Sequence, residues 1–255
     1  MTAKGIARLR FRVRDLFPPA DPTAPAFIRL MAVTNDLDTL ARSWLCSDAR
    51  EPRTESEKNI VAAESNYLFR LACATAYEAA NVFRDFRDVL QETGRLREID
   101  KLYEEGKNAF VLLDNMFRAS KEDFERQGFG KVFVYERNSV FHYPDSKVFR
   151  RVVEGYHQDQ EGLVLRAEAF GMSRYVLADE LQGRHSLKPL QTLHEFGELA
   201  RAIAEISGKL RVVVDAWIFL QVKTHSGALV GQDDDGIDVE RLWPGLERHA
   251  KEIKG

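Results

Sequence analysis

Three long stretches of this chain set apolar residues at helical spacing, and no other feature narrows the possible folds as much. Over about 26–47, Phe27, Leu30, Met31, Val33, Leu37, Leu40 and Leu45 form one broad stripe. Over about 56–91, Leu68, Leu71, Ala72, Ala76, Ala79 and Phe83 fall on one side. Over about 190–224, Leu199, Ile203, Ile206, Leu210, Val213, Val214, Trp217 and Leu220 do the same. A further helix is predicted over about 97–119 through Leu102, Phe110, Leu113 and Met116. Sequential helices joined by short connections pack antiparallel. The expected fold is therefore mainly α, an antiparallel helical bundle.

The connections carry their own signals. "SDAREPRTESE" reads as a loop, and Gly94 interrupts the chain. "SKED" at 120–123 supplies a serine cap with an acid in the first turn. Gly128 and Gly130 break that helix, and "KVFVYERNSVFHYP" reads as a short helix stopped at Pro144. "DSKVFRRVVEGY" gives one more helical piece.

Both ends depart from the helical pattern. In "ARLRFRVR", Ala7, Leu9, Phe11 and Val13 alternate with Arg8, Arg10, Arg12 and Arg14, as in a strand with one basic face. Ile6, Leu9, Val13 and Leu16 also lie near helical spacing, so a helix stays open there. "FPPADPTAP" at 17–25 reads as an extended connection. Residues at about 161–179 alternate around a Phe-Gly-Met turn and read as a β-hairpin. A hairpin alone is marginal, so the N-terminal strand is a candidate third member of a small β appendage. The acidic tail after Gly227 is expected to be loosely ordered. The linear partition is 1–25 for strand and connection, 26–157 for the main bundle, 158–226 for hairpin and last helix, and 227–255 for the tail.

Composition excludes some functions. Among 255 residues, 44% are apolar and 30% charged, and the net charge is -3, so any polyanion site must be a local patch. The N-terminus has arginines where a secretory core would be apolar, and no run of about 18 apolar residues occurs, so a cytoplasmic protein is expected. Cys46 and Cys73 have no Cys-x-x-Cys spacing and are expected to be buried thiols. His157, His185, His194, His225 and His249 show no metal spacing, and "DDD" at 233–235 reads as an exposed acidic turn. There is no glycine-rich phosphate loop or Gly-x-Ser-x-Gly elbow. No metal or other cofactor is expected.

One stretch concentrates chemistry: "RNSVFHY", with Arg137, Asn138 and His142. Asn138 and His142 are four apart and share a helix face; the long Arg137 stem can swing toward the same edge. An imidazole near its ordinary pKa moves protons at neutral pH. A guanidinium grips phosphate oxygens and steadies growing charge, and an amide orients either partner. That set suffices for RNA cleavage by its own 2′-hydroxyl, a reaction that DNA cannot undergo.

Arg137-Asn138-x-x-x-His142 resembles the Arg-polar-x-x-x-His signature of HEPN domains, all-helical domains of many prokaryotic toxins and phage-defence ribonucleases. The Phe-His-Tyr ending is similar to an uncharacterised bacterial branch. The likeness covers six or seven residues and the helical pattern of about 26–157. It implies a metal-independent endoribonuclease in defence or stress response, or an inactive binding module for RNA, nucleotide or a protein. It also implies a homodimer with facing motifs, and a neutralising antitoxin or other partner. Many family ribonucleases carry a tyrosine two residues after the histidine; here Tyr143 follows directly and Pro144 takes that place.

Other readings of the same residues remain open. His142 can bind a carbonyl at the helix end, and Arg137 can pair with Glu136 or Asp145. Asn35, Asp36, Arg70 and Glu78 interrupt apolar helical runs, and buried charges need partners. These four, with Tyr143, are the candidate polar network around the motif. Arg8, Arg10, Arg12 and Arg14 are candidate RNA contacts, or a solvated or edge-protecting face.

Overall fold

The computed structural model describes residues 7–18, 20–48, 50–118, 121–126, 128–141, 193–225 and 229–234, and these are mainly helical. The elements are β1 (Ala7–Phe11), α1 (Val13–Leu16), α2 (Thr23–Asp48), α3 (Glu55–Glu92), a 3₁₀ helix (Leu96–Lys101), α4 (Glu104–Phe117), α5 (Lys121–Arg126), α6 (Gly128–Phe141), α7 (Leu193–Thr224) and β2 (Leu229–Asp234). The hairpin expected at about 161–179 and the helical piece after Pro144 lie outside the described residues.

Local chemistry sets the helix ends. The Asp21 carboxylate accepts from the Thr23 N–H at 2.9 Å and from its hydroxyl at 2.7 Å, with Pro22 between them. That cap starts α2 inside the stretch expected to be extended, because proline's missing N–H costs nothing in a first turn. At α3 the Thr54 hydroxyl accepts from the Glu57 N–H, and the Glu57 carboxylate reaches back to the Arg53 N–H. Gly94 ends α3 at φ +68°, with the Arg95 N–H bonded to the Leu90 carbonyl and the Gly94 N–H to that of Gln91. This is the left-handed stop that glycine favours.

The single helix expected over about 97–119 is two elements. Leu102 is extended (ψ 154°), which stops propagation, and Glu104 and Glu105 open α4 in the acidic first turn a helix favours.

The described residues fall into two compact units. One draws on 1–32, 82–116 and 209–255, the other on 33–81 and 117–208, so α2, α3 and α7 each supply a segment to both.

The first unit is organised by aromatic packing. Phe27, Phe86 and Trp217 are buried, with ring centroids 5.6, 6.1 and 5.2 Å apart. Such pairs contribute about 0.5–1.5 kcal/mol each beyond their area. Arg95 lies 5.5 Å from the Trp217 ring and pairs with Asp21 at 2.7 Å and Glu98 at 2.9 Å. β1 and β2 pair antiparallel, setting Arg8 opposite Asp233 and Ala7 opposite Asp234. The strand partner is thus a piece of the tail expected to be loose, and Asp233 and Asp234 belong to a strand rather than a turn. Beyond Phe11 the alternation gives way to α1, whose Leu16 is buried while Val13 is exposed. The basic stretch is therefore part strand, part helix.

In the second unit Trp44, Phe69 and Phe196 form the aromatic cluster, with centroids 5.3, 4.3 and 6.2 Å apart. Arg50, just beyond α2, pairs with Glu64 of α3, and Trp44 of α2 donates to Ser65 of α3. Phe117, Phe124 and Phe133 run from the end of α4 through α5 into α6. A Cβ on Gly130 would lie 1.9 Å from the Phe124 carbonyl oxygen, so only glycine lets α6 approach α5 this closely.

Candidate functional site

The candidate site is built where α6 meets the 55–81 part of α3, inside the second unit. On α6, Val132, Phe133 and Glu136 are buried at spacings of one and three, so a carboxylate stands at an apolar-stripe position. On α3, Phe69, Arg70, Ala72 and Cys73 are buried in the same way. The two misfits meet: Arg70 Nε donates to Glu136 Oε2 at 3.0 Å, with side chains 5% and 1% exposed. The other carboxylate oxygen, Oε1, is buried without a hydrogen-bond partner among the described residues.

Burial governs the electrostatics. Desolvation raises the Glu136 carboxyl to about 7, against the opposing pull of Arg70 by charge and hydrogen bond. The Cys73 thiol is pushed well up by complete burial and by the Glu136 charge, which makes it a poor nucleophile. Tyr135 is raised by burial and then by Glu136.

One residue on, and about 100° further round the helix, the environment changes. Arg137 Nε donates to Glu78 Oε1 at 3.2 Å, with side chains 41% and 42% exposed. Arg137 Nη1 donates to Asn138 Oδ1 at 3.3 Å, and Asn138 is exposed. The guanidinium is thus oriented on two sides while open to solvent. Nearby, the buried Tyr77 donates its hydroxyl to Glu125 of α5, which Lys121 approaches at 3.9 Å.

Of the candidate residues, Arg137 and Glu78 pair with each other, Asn138 accepts from Arg137, and Arg70 pairs with Glu136. Asn35 and Asp36 are exposed on α2, and among the described residues no ion pair joins them to α6. His142 and Tyr143 lie outside the described residues, as do His157, His185, His249 and Asp235. Arg12 and Arg14 are exposed, and Arg8 and Arg10 lie in β1 beside β2. Cys46 is exposed, against the expectation of two buried thiols, because it lies off the apolar stripe of α2; Cys73 is buried as expected. Among the described residues no group of three metal-ligating side chains occurs, and no helix is long and apolar enough to cross a membrane.

Glu136 is the residue whose role the sequence left undervalued. Its signal was available: a carboxylate at a buried stripe position on one helix requires a cation at a buried stripe position on another.

No family model, no curated protein and no solved structure matches the chain.

Proposed function

We propose that the protein is a metal-independent endoribonuclease of HEPN type, acting in prokaryotic defence or stress response. The observation that supports this most is the Arg137 guanidinium: oriented by Glu78 and Asn138, yet about two-fifths exposed, as a phosphate-gripping cation should be. Asn138 is exposed beside it. In this reading His142 moves the proton of the 2′-hydroxyl, Arg137 steadies charge on the phosphorane, and Asn138 orients one of them. The antiparallel bundle and a homodimer with facing motifs belong to the same proposal. A second histidine from the partner would then supply the acid to match the base. RNA is the substrate, and an antitoxin or other protein is the neutralising partner.

The test is incubation of the purified protein with total RNA and a chelator. Fragments ending in cyclic phosphate are expected, and His142→Ala should abolish them while leaving the unfolding midpoint near wild type. A variant that unfolds instead returns His142 to a structural role.

A second reading, an inactive binding module, is favoured by the two bonds that already occupy Arg137. It requires RNA to be retained intact in the same incubation.

A further inference from the structure

Near the C-terminal end of α2, a cleft of about 450 Å³ is lined by Ser43, Cys46, Ser47, Arg50, Glu64, Tyr67 and Leu68. It lies wholly within the second unit and uses none of the residues proposed to act on RNA. Its size is in the range of small-molecule sites. Three features define what it would hold. The Cys46 thiol is exposed, unlike Cys73. Arg50 and Glu64 form an ion pair whose side chains are 57% and 31% exposed, a weak pair that opens at little cost. Ser47 is 4% exposed, and its Oγ is buried without a hydrogen-bond partner among the described residues. An orphaned hydroxyl of this kind is relieved by a group that reaches it.

A guanidinium and a carboxylate on one wall complement a zwitterion: the first takes a carboxylate, the second an ammonium. Tyr67, 53% exposed, and Leu68 add an apolar surface for a short aliphatic chain. With a thiol in the same lining, the arrangement suits a small peptide-like molecule that carries sulfur.

We propose that this cleft seats a zwitterionic disulfide of the glutathione class and that Cys46 exchanges with it to form a mixed disulfide. The Cys46 thiolate attacks one sulfur of the bound disulfide, and a new S–S bond forms as the old one breaks. The Cys46 sulfur is oxidised, and the departing glutathione sulfur is reduced. It leaves as a thiolate and takes up the proton that Cys46 gave to solvent. The same exchange with excess reduced glutathione restores the thiol.

Incubating the native, full-length protein with oxidised glutathione, followed by intact and peptide mass measurement, tests this. One glutathionyl addition is expected, on Cys46, while Cys73 reacts only after unfolding; Cys46→Ser should take up none. Arg50→Ala and Glu64→Gln should each slow the addition by about fivefold, the scale of an exposed charge contact. Neither should change the rate with hydroxyethyl disulfide, which carries no charge. Loss of that selectivity, with both variants matching wild type toward oxidised glutathione, would overturn the proposal and leave Cys46 a merely exposed thiol. So would addition at Cys73 in the native protein.

Discussion

In the first unit, partnered arginines stand at the margin of an aromatic core; in the second, one enters the core. Arg95 is about one-quarter exposed, lies beside the Trp217 ring, and fastens Asp21 and Glu98 around it. Arg70 is almost wholly buried and meets a carboxylate that is more buried still. Water helps to solvate the first set of charges, so its cost is small and its benefit modest. The second pair has lost that help, and the raised Glu136 shows that desolvation outweighs attraction there. A buried pair of this kind is weak evidence for stability. One position on along α6, Arg137 pairs with Glu78 of α3.

The comparison breaks first at Arg70. Arg70→Met should destabilise the fold by about 3–5 kcal/mol near neutral pH, because it strands a buried carboxylate. The loss should shrink at about pH 5, where Glu136 is protonated, and urea unfolding at both pH values checks this. The sign for wild type follows from the same group. The folded carboxyl titrates at about 7 against an ordinary 4.5, so its stabilising contribution is complete below 4.5 and is lost as pH rises through 7.

Gly130→Ala comes next. The added methyl meets the Phe124 carbonyl oxygen, so α5 and α6 must separate, at about 1–3 kcal/mol. Thermal unfolding measures the loss, and a wild-type midpoint would show that the two short helices can part freely.

The first unit should respond less. Asp21→Ala removes the cap of α2 and one partner of Arg95, for about 0.5–2 kcal/mol. Burial raises the Asp21 carboxyl, but bonds from Thr23 and Arg95 outweigh it and hold the group below its usual 3.8. Its contribution therefore exists above that value and disappears in stronger acid, where mutant and wild type should converge. Smallest of all is Arg29→Ala. The Arg29–Asp85 pair is more than half exposed on both sides, so its loss should stay below about 1 kcal/mol in the same assay.

Several features were legible because they are local. The stripe from Leu199 to Leu220 names eight residues, and all eight are buried. The span expected for α3 differs from the observed one by a single residue at each end, since Thr54 and Gly94 write its limits into neighbouring positions. The break at Leu102 was not legible, because both flanking stretches carry apolar helical spacing and only the backbone at one residue separates them. Cys46 misled for a related reason: it stands in an apolar helix but not on its buried side.

Periodicity, caps and glycines act between residues a few positions apart, so the chain by itself determined that most of this protein is helix, where the long helices begin and end, and that Arg70 and Glu78 needed partners. Those partners lie 66 and 59 residues away, at Glu136 and Arg137. β1 likewise found its match in the acidic tail, more than two hundred positions on. Tertiary structure alone decided these pairings, because desolvation depends on what else surrounds a charge, and that is settled only when separate stretches of chain pack together.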